Sequence, residues 1–513
     1  MLSRSPARSP GSDDTWDPPR PWWRGRLGVL ALVVALVALG GGVYALARPA
    51  STRCADGVAK VGPDHTCVGL TDGSYAYSPD LASLSGLIHT ENERVRAAAA
   101  RPGGAPWVGV VYLMSMVQGP GSTNTTDSIR HELEGAYTAQ WEANHTDTQG
   151  DSPQIQLLLA HTGNTTAQRD YTLAQIGKYR AADHIVAVAG LGTSTLATRS
   201  SIEQLTRQDL AAFGSVITSD DLIGIPGLVR VAPSNSDEAA AAAKYLLRTA
   251  PKAKVLLVED TRSDDLYTST LATSFRKSYP AGLLVDQPMA YDSSKSDVST
   301  YFTQQMANVC LDAPDVVYFA GRGIDLPRFL APLSHRQCAD KPLTVVSGDD
   351  ASQVEQSAGV GQVKDALRLG NIKLLYTGLA HPGAWTLRPQ SFDATAIAPF
   401  QPGGEFRTAF PREALDDGQA IMGYDATLTA VTAIRNAASG GTGADTVTGA
   451  DVVQMTTLLY GARAVSGASG LISLDSGGGP KNKAIPIVEL SQDGSVHTVA
   501  VSSRDGDPPN AHP

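Results

Sequence analysis

The chain has 513 residues, with 41 Lys+Arg against 51 Asp+Glu and a formal charge of −10. Hydrophobic residues make up 42% and charged residues 18%, enough apolar material to bury a core, which excludes a wholly disordered chain. The acidic balance excludes a general nucleic-acid binder, whose phosphate contacts need a basic excess, and four Cys in so long a chain exclude a disulfide-dense mini-scaffold.

Residues 1–26 hold Pro, Ser, Arg and Asp with almost no aliphatic side chains, and are expected to form a disordered cytoplasmic tail. Residues 27–47 (LGVLALVVALVALGGGVYALA) carry no charge. At about 1.5 Å per residue they span roughly 30 Å, a bilayer core. Arg20, Arg24 and Arg26 precede this segment, with Trp22 and Trp23 at the interface position, and Arg48 and Arg53 follow it. The positive-inside rule then predicts a single-pass cell-membrane protein with its N-terminus in the cytoplasm. Ala45-Leu46-Ala47 also has the small-x-small pattern of a signal-peptidase site, although Pro49 disfavours cutting there. An uncleaved signal anchor and a cleaved signal peptide both place residues 50–513 outside the cytoplasm.

The cysteines fit that compartment. Cys54 and Cys67 bracket a short loop, and Cys310 and Cys338 lie far downstream, which suggests disulfides 54–67 and 310–338 among three possible connectivities. Neither pair has the close spacing of a zinc site, so no metal is expected. Residues 48–104 read as a linker with a stapled loop and a helix over 79–100, where Leu81, Leu84, Leu87 and Ile88 recur at helical spacing.

A regular alternation follows. Short apolar runs at 107–114, 154–160, 184–189, 254–258, 283–285, 315–320, 343–346 and 372–376 are aliphatic on both faces, as parallel strands covered by helices require. Amphipathic stretches separate most of them, for example 128–144, 168–182, 236–248, 267–279 and 298–310. The pattern predicts α/β architecture with two doubly wound parallel-sheet lobes joined by a hinge. Residues 105–230 form the first lobe and 231–375 the second, with the crossing at Val231–Asn235. Residues 376–465 return to the first lobe through a Pro-rich irregular excursion (381–411) and a long helix (417–438). Residues 466–502 add C-terminal antiparallel strands, and 503–513 form a frayed polar tail.

Four segments carry a family resemblance: Val188–Ser194, a strand ending in a Gly/Ser/Thr loop; Val229–Ala239, before an Ala-rich helix ending Lys244-Tyr245-Leu246; Gly423-Tyr424-Asp425-Ala426, opening a long helix; and Gly470–Asp475, followed by Gly477 to Gly479. In this order and spacing the sequence resembles the type I periplasmic solute-binding proteins, specifically the branched-chain amino acid-binding branch of ABC uptake systems. The resemblance covers roughly residues 105–500. The plain anchor, the Cys54–Cys67 loop, the helix at 79–100 and the 380–411 excursion depart from that pattern.

Ligands of open α/β sheets bind beyond the carboxyl ends of the strands, which in a two-lobed fold face one cleft. A ligand carboxylate needs backbone N–H groups and hydroxyls there, and an ammonium needs oxygen acceptors. The resemblance implies that Thr193 and Ser194 contact the ligand, that Thr218 and Ser219 form a second hydroxyl-bearing loop, and that Tyr267 faces the ligand from the second lobe. Arg322, Asp349 and Asp350 follow predicted strands at cleft-facing ends, and either Asp could take an ammonium. Trp385 is a further candidate for shaping the cleft.

Catalytic motifs are absent from the sequence: Gly190-x-Gly192 lacks the third Gly of a dinucleotide loop, His131-Glu132 has no second His four residues on, Gly467–Gly470 fails as a nucleophile elbow, and there is no P-loop. No enzyme activity and no cofactor are expected. The reading is a membrane-anchored extracytoplasmic binding protein that captures a small polar, amino acid-like ligand, with an ABC permease as partner. The alternatives are a sensor domain working through a signalling partner, and an envelope scaffold without ligand.

Overall fold

The computed structural model describes residues 52–119, 122–148, 150–354, 360–439 and 447–511, together with Leu30, Val33 and Val34. The tail at 1–26 and, those three residues apart, the apolar segment at 27–47 lie outside the described residues. Among the described residues no helix is long and apolar enough to cross a membrane.

Between Cys54 and Pro513 the chain is one compact unit built on two sheets. The first contains β1 (Arg53–Ala55), β2 (Val58–Val61), β3 (Thr66–Thr71), β4 (Trp107–Met114), β5 (Gln154–His161), β6 (Ile185–Gly190), β7 (Ala211–Gly214) and β8 (Leu228–Arg230), in the order β1-β2-β3-β5-β4-β6-β7-β8. Strands β4 to β8 are parallel, while β3 runs antiparallel to β5 and to β2. The second contains β9 (Val255–Asp260), β10 (Met289–Tyr291), β11 (Val316–Ala320), β12 (Leu343–Ser347) and β13 (Ile372–Thr377), all parallel, in the order β10-β9-β11-β12-β13. A small hairpin, β14 (Val465–Gly467) with β15 (Gly470–Ile472), stands apart. Two antiparallel strands, β16 (Ile485–Leu490) and β17 (Val496–Ser502), extend the second sheet beyond β13. Both sheets are therefore mixed, where the sequence pattern predicted parallel ones.

The helices are α1 (Ala82–Ala99), α2 (Thr126–His145), α3 (Thr166–Tyr179), α4 (Leu196–Thr206), α5 (Asn235–Thr249), α6 (Leu266–Ser278), α7 (Val298–Asp312), α8 (Leu326–Ser334), α9 (Val360–Leu369), α10 (Gln419–Ala437) and α11 (Gly449–Thr456), besides short helical turns between β13 and α10. Each sheet is buried on both faces. Strand β4 sends Val108, Val110, Tyr112 and Met114 into one core with α2 and α10, and Val111 and Leu113 into the other with α3 and α4. Strand β11 does the same: Val317 and Phe319 meet α7 and α8, and Val316, Tyr318 and Ala320 meet α5 and α6. This two-faced burial explains the continuous apolar runs.

Helices α2 and α10 pack backbone to backbone. A Cβ on Gly135 would lie 1.8 Å from the Ala420 carbonyl oxygen, and one on Gly423 would lie 2.0 Å from that of Glu132. Gly423→Ala is expected to cost about 3 kcal/mol, because a helix carbonyl cannot retreat like a flexible side chain. Urea unfolding followed by circular dichroism measures it, and a loss below 1 kcal/mol would show that the helices can separate freely.

Both expected disulfides are formed, Cys54–Cys67 and Cys310–Cys338. Cys310 lies in the last turn of α7 and Cys338 just beyond α8, with Cα atoms 5.7 Å apart. Consecutive helices on one face end at the same sheet edge, which brings the two together. The bridge spans a sequence separation of 28. Replacing both cysteines by Ser should cost about 3–4 kcal/mol by the chain-entropy estimate, read as a lower urea midpoint in non-reducing buffer.

Several expectations need correction. Of the expected linker, residues 53–71 are structured: β1, β2 and β3 are part of the first sheet, with Val58, Val68 and Leu70 buried. Residues 283–285 are not a strand. Leu283 ends a 3-10 turn, and the edge strand lies at Met289–Tyr291, whose alternating burial marks a half-covered edge. The strands β7 and β8 were not anticipated: they are only four and three residues long, and β7 is made largely of small side chains. The excursion after residue 380 is ordered around an aromatic cluster of Trp385, Phe400, Phe406 and Phe410. Trp385 is buried there and donates Nε1–H to the Ala468 carbonyl at 2.8 Å, so it does not shape the cleft. The tail is docked as far as Ala511, whose N–H bonds the Gln390 carbonyl at 2.9 Å, and Ser502 and Ser503 are fully buried.

Candidate functional site

The chain crosses between the sheets three times: between β8 and α5, after β13, and between β15 and β16. These crossings bring the carboxyl ends of the parallel strands of both sheets to one junction. From the first lobe come the loops after β4, β6 and β7, and from the second the loops after β9, β11 and β12.

The loop after β6 leaves the strand through Gly190, Leu191 and Gly192, with φ of 86°, 77° and 70°. Three successive left-handed residues turn the chain sharply, and Leu191 holds that conformation against its own Cβ because its side chain is buried in the core. Ser194 then points into the junction, 1% exposed. Its Oγ accepts the backbone N–H groups of Thr218 (3.0 Å) and Ser219 (3.2 Å). These are the kind of donors a ligand carboxylate uses, and here the Ser194 hydroxyl holds them. Arg230, also buried, steadies that loop by donating to the Ser219 carbonyl at 3.2 Å. Ser219 Oγ donates across the junction to the Leu266 carbonyl at 2.9 Å, and the Leu266 N–H returns a bond to the Ser194 carbonyl at 3.2 Å.

On the second lobe Asp265 is the N-cap of α6. Its Oδ1 accepts from the N–H groups of Tyr267 (3.0 Å) and Thr268 (3.3 Å). The same carboxylate takes a two-pronged bond from Arg322, Nε to Oδ2 at 2.7 Å and Nη2 to Oδ1 at 2.9 Å. Arg322 also donates to Asp350 Oδ1 (3.3 Å) and to the Ser194 carbonyl (3.4 Å), and lies 4.5 Å above the Tyr267 ring. Burial opposes a charged guanidinium, but the Asp265 and Asp350 carboxylates outweigh it and keep Arg322 firmly protonated. Gln353 completes the network: its Nε2 donates to Asp350 (2.9 Å), and its Oε1 accepts the Thr125 N–H (2.9 Å) and the Ser128 hydroxyl (3.2 Å) at the start of α2.

Asp349 belongs to a second buried group. Its N–H donates to Glu238 Oε2 at 3.2 Å, and the Thr377 hydroxyl donates to the same oxygen at 2.7 Å. Burial and the neighbouring Asp350 push Asp349 up to about 7, and burial with the Asp349 charge pushes Glu238 up as well. The Tyr267 hydroxyl accepts the Asp350 N–H at 3.3 Å.

The structure thus gathers Ser194, Thr218, Ser219, Tyr267, Arg322, Asp349 and Asp350 within one buried junction, where they are bonded mainly to one another and to backbone. Thr193 faces a cavity of about 310 Å³ beside the junction. Asp265, Gln353, Glu238, Thr125 and Ser128 were not expected. Asp265 carries a readable signal, an Asp immediately before a helix. Gln353 carries none, since a polar residue after a strand is ordinary.

No protein-family model matches the sequence, and no curated protein matches it. Solved structures do. A leucine-binding protein from Thermotoga maritima superposes with a TM-score of 0.57 at 19% identity, over 77% of this chain and 98% of that one. A branched-chain amino acid transporter substrate-binding protein from Streptococcus pneumoniae, in complex with isoleucine, gives 0.56 at 18% identity over 79% and 100%. A solute-binding protein of an ABC transporter from R. palustris, in complex with benzoate, gives 0.56 at 14% identity over 80% and 99%. The convergence of strand ends on one interlobe junction and these superpositions agree: the chain has the two-lobed α/β fold of the type I periplasmic binding proteins.

Proposed function

We propose that the chain is an extracytoplasmic solute-binding protein, tethered to the cell membrane by residues 27–47, that takes a small polar ligand between its two lobes and passes it to an ABC-type permease. The ligand is amino acid-like in size and in carrying a carboxylate. The observation that supports this most directly is the junction itself, where N–H donors held by Ser194 face a guanidinium and two carboxylates from the opposite lobe. A carboxylate entering there replaces the Ser194 hydroxyl on the Thr218 and Ser219 N–H groups. An ammonium replaces one arm of Arg322 on Asp265 or Asp350. The paired side chains correspond to a closed state that opens by hinge motion at the three crossings, with ligand favouring closure through contacts to both lobes. Two disulfides suit the oxidising side of the membrane.

Isothermal calorimetry of the full chain in detergent with pools of amino acids and small organic acids tests the reading. Binding heat is expected with at least one pool, and at a hundredfold excess over the dissociation constant the ligand should stabilise the protein by about 2.7 kcal/mol. Absence of both heat and thermal shift with every pool would exclude a solute-binding role.

A further inference from the structure

The cavity beside the junction has features the junction lacks. It lies at the carboxyl ends of β4, β5 and β6, with the second-lobe loop Arg262–Asp265 as its far wall. In the sheet order β5-β4-β6-β7 the chain leaves β4 toward β5 and leaves β6 toward β7, so the loops after β4 and β6 part in opposite directions. That is a topological switch point, the place where open α/β sheets form a ligand crevice. At about 310 Å³ the cavity suits a ligand of metabolite size.

Its chemistry is specific. Ten of its lining residues are Ser or Thr and none is aromatic, so an aliphatic side chain would strip water from hydroxyls without repaying them. Thr193, in the lining, is held from two sides: Thr123 Oγ1 donates to its hydroxyl at 3.2 Å, and Thr198 Oγ1 donates to its carbonyl at 2.5 Å. Arg169, on the first turns of α3, lines the wall with most of its side chain buried, and among the described residues its guanidinium bonds only the exposed neighbour Asp170, at 3.3 Å. The two acidic residues of the far wall are each held by an arginine, Asp264 by Arg262 at 2.6 Å and Asp265 by Arg322 at 2.7 Å. Among the described residues that line the cavity, Arg169 is therefore the cation not tied to an acidic residue of the wall, its own partner Asp170 being exposed outside it.

We propose that this cavity is a second binding site beside the junction and that its ligand is a polyhydroxylated carboxylic acid, a sugar acid, with its carboxylate on Arg169 and its hydroxyls on Thr193 and the threonines around it. The inference rests on the solute-binding reading and adds to it a site with a ligand class of its own. Calorimetry of the full chain in detergent with D-gluconate and D-glucuronate, against leucine and glucose, provides the test. Gluconate or glucuronate is expected to bind with a micromolar dissociation constant. Arg169→Gln and Thr193→Val should each weaken binding at least tenfold with unchanged circular dichroism and thermal midpoint, and Arg169→Lys should restore part of the loss. Sugar acids that give no heat, or that bind equally well to both variants, overturn the proposal. If an amino acid binds instead, solute binding stands and only this second site and its ligand class fall; silence from sugar acids and amino acids alike removes both.

Discussion

Arg322→Gln is expected to destabilise the protein by about 3–5 kcal/mol, the usual cost of removing one partner from a buried ion pair. Arg322 is 4% exposed, and its partners Asp265 and Asp350 are 3% and 5% exposed. Without the guanidinium, two carboxylates remain in the same buried junction without the cation that pairs them. Asp265 keeps its N-cap bonds to the α6 backbone, and Asp350 keeps the Gly323 N–H at 2.6 Å, so both carboxylates stay where they are. The triple variant Arg322→Gln, Asp265→Asn, Asp350→Asn should recover most of the loss, since a buried charge set replaced as a whole is often neutral. Urea unfolding of the single and triple variants measures both. The single variant should also have a larger radius of gyration in solution scattering, because the Arg322 bond to the Ser194 carbonyl and the Gln353 bonds to Thr125 and Ser128 tie the lobes together. A single variant as stable and as compact as the parent would mean that water already fills the junction.

The elements most legible in the sequence were those whose physics is local. The continuous apolar runs of β4, β5, β6, β9, β11, β12 and β13 announce strands covered on both faces, and the stretches that became α2, α5, α6 and α7 show one apolar face each. Short strands with little side-chain bulk, such as Ala211–Gly214, leave no such mark, because their place is set by neighbours already in the sheet. The antiparallel additions at both sheet margins were read as a linker and as a separate C-terminal set, since local pattern does not say which sheet a hairpin joins. At the site, the strand-end rule located the junction, and Ser194, Tyr267, Arg322 and Asp350 do meet there. Their mutual pairing was not legible. It depends on the guanidinium of Arg322 reaching Asp265, 57 positions earlier, and on Gln353 reaching Thr125, 228 positions earlier. Arg169 of the cavity is likewise brought in by the β5 to β4 pairing, not by any motif of its own.

The second large effect is a pH dependence carried by Glu238 and Asp349. Glu238 opens α5 just after the first crossing, and Thr377, which donates to it, ends β13 just before the second. The pair is buried against the hydroxyls of Tyr267 and Tyr318, with Asp350 and Arg322 beyond; Glu238 Oε1 and Asp349 Oδ1 have no hydrogen-bond partner among the described residues. Two adjacent buried carboxyls cannot both ionise cheaply, so the folded state keeps a proton there that the unfolded chain gives up at lower pH. The folded values are raised, Asp349 from 3.8 to about 7. The stabilisation is therefore complete below the unfolded values and is lost as pH rises through about 7. Glu238→Gln removes an acid that burial and the Asp349 charge hold well above its ordinary value, while burial and Asp350 continue to hold Asp349 up. Relative to the parent, the variant should gain stability steadily from pH 5 to pH 8, read from urea midpoints at each pH. Other buried groups titrate in this range, so the difference between variant and parent is the diagnostic quantity. Parallel curves for the two proteins would show that Glu238 and Asp349 are both ionised in the folded state and that water or a cation compensates them. Because the pair sits between two of the three crossings, the same titration should appear in the hinge: above pH 8 the parent should open more readily than Glu238→Gln, detectable as a larger increase in radius of gyration.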